Sequence, residues 1–266
     1  MKIRPIYYLT VIILTVCICT TTVQGQQNPE EVAKKLANPI ANMISMPLQN
    51  NTEYGIGKYN GTRNTLNFQP VVPITLSPKM TLITRYILPI TTQINTTGQD
   101  TKQNGLSDAL ISAFFSPTGG KIIWGVGPAF LLPTATNEFL GTKKFGLGPT
   151  VVVLKQMGPW TVGALANQIW SVAGDKNRAD VSQFYFQPFM AHNWKSGAGV
   201  GVSSEITQNW QASTTVVYII PTVSAVTKLG KQIVSLAVGP RWPVTAPADA
   251  KGDWGWRSIL TFVIPK

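Results

Sequence analysis

Beyond residue 25 the chain contains no long apolar run. It breaks into about a dozen stretches of roughly ten to fifteen residues in which apolar and polar side chains alternate. The last reads Asp253-Trp254-Gly255-Trp256-Arg257-Ser258-Ile259-Leu260-Thr261-Phe262-Val263-Ile264. Trp254, Trp256, Leu260, Phe262 and Ile264 share one face, while Asp253, Gly255, Arg257 and Thr261 share the other. Side chains on a strand repeat every two residues, so such a segment has one apolar and one polar wall. Many such segments, with no helices to cover the apolar walls, leave lipid as the cover. A closed barrel is the strand arrangement with no unpaired edge in lipid. The expected fold class is therefore all-β: an antiparallel transmembrane β-barrel of about 12 strands with a short N-terminal helix.

The chain opens with Lys2 and Arg4, an apolar run from Ile6 to Cys19, and a small-residue exit at Val23-Gln24-Gly25. This is the pattern of a secretory signal peptide, expected over residues 1–25, and the run is short for a membrane-spanning helix. A lipid-modified Cys17 or Cys19 is a weaker reading, because Val16 and Ile18 stand where a small residue is required. Both cysteines fall inside the signal, so the exported chain would hold neither a disulfide nor a cysteine-based metal site. Lys2 and Arg4 leave with it, and the 20 basic and 11 acidic residues that remain give a net charge of +9. In an exported chain without a dense Lys/Arg run, that charge points to anionic lipid headgroups or an anionic solute rather than nucleic acid.

Residues 26–48 are expected to form a helix at the periplasmic rim or a plug inside the lumen, with the barrel at 49–266. Asn28-Pro29-Glu30-Glu31 carries helix-start signals, and Val32, Leu36 and Ile40 recur at helical spacing until Asn38-Pro39. The twelve expected strands run approximately over 50–58, 64–76, 80–93, 105–116, 121–133, 145–156, 159–172, 181–193, 197–209, 211–224, 231–245 and 253–264. Short connections at Ser77-Pro78-Lys79, Pro117–Gly120, Met157-Gly158 and Trp194–Ser196 alternate with longer polar ones at 94–104, 134–144, 173–180 and 246–252. Bacterial barrels alternate in this way, with short periplasmic turns and longer outer loops. The connection near Asn209-Trp210 is short for its side. The tryptophans sort into two levels: Trp124, Trp160 and Trp194 below, and Trp170, Trp210, Trp242, Trp254 and Trp256 above. Against continuous pairing stand Pro70, Pro89, Pro128, Pro149, Pro188, Pro221 and Pro240, several preceded by glycine, which imply bulges or bends.

Catalysis needs positioned acids, bases, nucleophiles or metals. The one histidine, His192, is followed by Asn193-Trp194 and lacks the His–Ser pair of outer-membrane phospholipases. No enzymatic activity, cofactor or metal site is expected. The polar wall is more informative: alternation turns Arg85, Asp108, Glu205, Arg241 and Arg257 inward. If the last hairpin is symmetric about Asp249, Arg241 and Arg257 stand opposite one another and repel unless an anion or carboxylate separates them. Two readings follow: a structural ladder closed by Glu205 or another inward carboxylate, or an anion-attracting constriction.

Trp124-Gly125-Val126-Gly127-Pro128 through Leu131-Leu132-Pro133-Thr134-Ala135-Thr136 leads to Gly158-Pro159-Trp160, Gly163-Ala164-Leu165-Ala166-Asn167, Trp170-Ser171, Ala173-Gly174-Asp175 and Gln187-Pro188-Phe189. With Lys34-Lys35-Leu36-Ala37-Asn38-Pro39-Ile40 and Gln49-Asn50-Asn51, the chain from about residue 31 onward resembles the MetA-pathway phenol degradation family. Its members are often called simply transporters. The resemblance implies an outer-membrane β-barrel related to channels for hydrophobic compounds, and transfers no catalytic motif. The ending Phe262-Val263-Ile264-Pro265-Lys266 departs from many outer-membrane barrels in lacking a terminal aromatic. The expectation is a monomeric, porin-like channel in the bacterial outer membrane, placed there by the barrel-assembly machinery and admitting a small, hydrophobic or aromatic solute. A non-transporting structural or adhesive barrel is the alternative, and a soluble secreted ligand-binding β-sandwich ranks third.

Overall fold

The computed structural model describes residues 28–264. The expected signal peptide and the final two residues lie outside them. Helix α1 (Pro29–Leu36) opens the chain, its first turn capped by Asn28, whose side chain accepts from the Glu30 amide. Fourteen strand segments follow: β1 (Ile44–Ile56), β2 (Gly61–Phe68), β3 (Val71–Ser77), β4 (Met80–Ile94), β5 (Lys102–Leu106), β6 (Ala109–Pro117) and β7 (Ile122–Leu132). The second half comprises β8 (Lys144–Met157), β9 (Trp160–Gly174), β10 (Ser182–Asn193), β11 (Ala198–Asn209), β12 (Thr214–Leu229), β13 (Gln232–Thr245) and β14 (Trp254–Ile264).

All pairings are antiparallel between neighbours in the chain, and β14 returns to β1 from Ile44↔Ile264 to Tyr54↔Trp254. The segments β2 and β3 are two pieces of one wall strand, both paired to β4, and β5 and β6 are two pieces of the next. The result is a closed 12-strand antiparallel barrel. Closure removes the sandwich reading, because a sandwich would leave β1 and β14 as edges.

Several boundaries move. The first strand starts at Ile44 rather than residue 50, since 44–49 pair with β14. Pro47 masks this in the alternation; it sits opposite Thr261 and offers its carbonyl to the Gln69 amide. The barrel therefore begins inside the stretch expected to be a helix or plug. The tenth expected strand shifts to Thr214–Leu229, and the connection at 210–213 is a clipped turn with Ser213 at φ 52°.

The prolines bend the wall as expected, and in a regular manner. Pro70 divides β2 from β3. At Gly127-Pro128, Gly148-Pro149 and Gly239-Pro240 the glycine is pressed against a neighbouring strand. A β-carbon there would stand 1.9 Å from the Ala113 carbonyl oxygen, 1.7 Å from that of Gln168 and 1.9 Å from that of Pro221. On one side of the strand residue pairing skips each of these steps, and also Gln187-Pro188, while on the other side it runs through them unbroken. Proline has no N–H to donate, so the ladder breaks where it sits, and glycine lets the backbones close the gap.

All eight tryptophans project from the outer wall, 41–55% exposed. They remain in two levels, near the tight-turn end and near the loop end, where amphipathic rings meet a lipid–water boundary. His192 lies at the tight-turn level with its ring 4.7 Å from Trp160 and 4.9 Å from Trp194.

The N-terminal segment crosses the tight-turn end of the lumen. Val32, Ala41 and Met43 pack with Ile233 and Val263 of β13 and β14. Ile40 reaches the far side and joins Val71, Ile83, Phe114, Val152, Leu154 and Leu165. Gln156 of β8 donates to the Lys34 carbonyl oxygen at 2.9 Å, tying the segment to the wall.

A candidate site in the lumen

Inward alternation brings four of the five expected side chains to one layer. Arg241 on β13 donates through Nη1 to Glu53 on β1, and through Nη2 to Glu205 Oε2 on β11 at 3.1 Å. Its guanidinium carbon lies 3.3 Å from the ring centroid of Tyr218 on β12, a cation–π contact. Arg257 on β14 donates through Nε to Asn51 Oδ1 at 2.7 Å and places Nη2 2.8 Å from Glu205 Oε1. Arg85 on β4 donates to Gln69 Oε1 at 3.1 Å.

These contacts bridge over intervening strands as well as between neighbours. Neighbouring strands lie roughly 4.8 Å apart, and two strands separate β14 from β11. Arg257 and Glu205 can therefore touch only by reaching over the inner faces of β12 and β13. The layer is a cross-brace, with Glu205 gripped by two arginines and Arg241 held by two carboxylates. Arg257 is 3% exposed and Glu53 9%. Charges this buried are stable only when paired and hydrogen-bonded.

The last hairpin needs correction. Arg241 stands opposite Gly255, and Arg257 opposite Gly239, so the hairpin is centred on residue 248 and the two arginines are diagonal neighbours. The carboxylate between them is Glu205.

Asp108 does not belong to this layer. It sits in the break between β5 and β6, where strand phase is lost, and its carboxylate accepts from the Ala135 amide, the Thr142 amide and the Thr142 hydroxyl at 3.3, 2.6 and 2.7 Å. It thereby folds the 133–143 loop over the rim, with Leu140 buried against Gly105. Arg178 fastens that loop from the other side by donating to the Glu138 and Gly141 carbonyl oxygens at 2.8 and 2.7 Å. Nearby, Lys144 pairs with Asp180 at 2.8 Å, and this bond holds the Asp180 carboxyl below its ordinary value.

Sequence reasoning missed Glu53, Asn51, Gln69 and Tyr218. Glu53 and Asn51 share the inward phase of β1, so alternation contained the signal for both; what it lacked was the partner, two strands away on β13 for Glu53 and opposite on β14 for Asn51.

By sequence, no protein family and no curated protein matches the chain. Among solved structures it is similar to the COG4313 outer membrane channel from Pseudomonas putida F1, at TM-score 0.67 and 13% identity over 92% of this chain and 100% of that one. The likeness is one of fold. A fainter similarity, TM-score 0.38 and 6% identity over 83% of this chain and 98% of the other, is to OmpT, an outer membrane protein of Vibrio cholerae.

Proposed function

We propose that this protein is an outer-membrane channel for small molecules, of the kind implied by its resemblance to the MetA-pathway family, and that it is not an enzyme. The carrying observation is that the lumen stays polar and partly hollow inside a wall whose outer face is apolar and ringed by tryptophan. A barrel that served only as a structural post would gain by filling that space with apolar side chains, because buried ion pairs rarely outdo good packing. The +9 charge of the exported chain, its secretory signal and its two aromatic belts fit residence in the outer membrane with the tight turns facing the periplasm. The arginine layer acts as the constriction, and the N-terminal segment as the plug beneath it.

Conductance in planar bilayers tests this reading. The intact exported chain is expected to pass small ions, and removal of residues 28–42 to raise the current several-fold, by about the ratio of open cross-sections. Silence from both proteins, with heat-modifiable gel migration proving them folded, overturns the channel. Equal currents from the two overturn the plug.

A further inference from the structure

A cavity of about 300 Å³ lies between the N-terminal segment and the arginine layer, at the lower end of the roughly 300–1,000 Å³ typical of small-molecule sites. Among the described residues its charged lining is Lys35, Arg85 and Arg257, and no aspartate or glutamate lines it. Both carboxylates of the arginine layer hold Arg241, which does not line this space, and Glu205 also holds Arg257, which does. Arg85 is the cation without a carboxylate: among the described residues its guanidinium has Gln69, a neutral amide, as its hydrogen-bond partner. A second observation is independent of charge. Asn193, 4% exposed, lines the same cavity, and its Nδ2 is a buried donor without a partner. Buried donors are normally satisfied, so an orphan beside an acid-free, cation-lined space marks a place for an acceptor.

The rest of the lining is apolar on one side, with Leu36, Met43, Val71, Phe189 and Ile259. An inorganic anion would leave that side unused. We propose that this cavity binds small organic anions that carry one carboxylate on an apolar body, as the stopping point of the solute path proposed above. The carboxylate would face Arg85, with the apolar body on the Phe189 side and the free Asn193 donor at the tight-turn end of the same cavity. Walls of one charge sign also raise the local concentration of such anions, with Lys35, which is exposed, adding to the attraction.

The test uses the full exported chain in detergent micelles, with 4-fluorobenzoate as probe and 4-fluorobenzyl alcohol as its neutral counterpart, both read by fluorine NMR. Benzoate block of the chloride current is measured in parallel in planar bilayers. The expected result is saturable binding of the benzoate and not of the alcohol. Arg85→Gln should weaken binding about tenfold or more, the scale of a lost charge-assisted hydrogen bond, and Lys35→Gln by about a few-fold. Lys35 carries the comparison if the Arg85 variant does not fold. Equal binding of acid and alcohol, or undiminished binding in both variants, overturns the site. Binding without any current leaves the site standing and removes the channel. A current that benzoate neither blocks nor accompanies with binding removes the site alone.

Discussion

On the side of the lumen from β3 to β9, the tight-turn end is filled by Ile83, Phe114, Val152, Leu154 and Leu165, with Ile40 driven in from the N-terminal segment. From β10 around to β1 an apolar patch of Ile233 and Val263 holds the N-terminal segment at the tight-turn end, and above it charges are braced from strand to strand and a cavity remains. The two sides occupy the lumen by different physics. Apolar side chains do so by close packing, which leaves no room. Paired charges do so at fixed distances and angles, and a brace held at fixed length can stand beside open space. The difference teaches how one lumen is both firm and hollow: the filled side is close-packed, and the braced side keeps an interior.

The contrast can be broken most severely from the filled side. Phe114 is fully buried, so Phe114→Ala is expected to cost about 3–5 kcal/mol, seen as a lower urea midpoint in lipid vesicles, with little change in ion selectivity. Next comes the braced side. Glu205→Ala leaves Arg257 without a carboxylate and Arg241 with Glu53 alone and should cost about 3 kcal/mol, while replacing Glu53, Glu205, Arg241 and Arg257 together by apolar residues should restore most of that loss. A quadruple variant no better than the single one would mean that the brace is needed for more than its own neutrality. Asp108→Ala should cost about 1–2 kcal/mol, confined to the outer loop, as faster amide exchange over 133–143 with the lumen layer untouched. The smallest effect is the Asp180–Lys144 pair. Because the folded carboxyl is depressed, its contribution is complete above the ordinary carboxylate range and fades as pH falls below about 4. Lys144→Met should remove that acid dependence from the exchange of the 175–181 loop, and a retained dependence would assign it elsewhere.

The wall was largely legible in the sequence and the lumen was not. Period-two alternation, two tryptophan levels and alternating connection lengths all report on single strands or adjacent pairs, and these carried the twelve strands and their direction. The brace joins strands two and three places apart in the wall, beyond what a single strand or an adjacent pair reports. Alternation states that Glu53 points inward but not that Arg241, 188 residues away, is its partner. Register was lost where local regularity was lost. The 246–253 loop is not a symmetric turn, which moved the hairpin centre from 249 to 248, and the break at Ser107-Asp108 reset the phase that had pointed Asp108 at the arginines. Pro47 concealed the first six residues of β1 for the same reason.

The brace also sets an order of events during assembly. Its bonds join residues 188 and 206 positions apart, so none of the β1 contacts can form until the last strand has met the first. Until then a partly zipped sheet would carry Glu53, Arg241 and Arg257 on its concave face, each lacking a partner that only closure supplies. Lipid or collapsed chain pressed against that face would meet unpaired charge, which is costly in either setting. The same residues that hold the finished lumen therefore penalise every unfinished one, and the seam between β1 and β14 is where the protein proofreads its own completion.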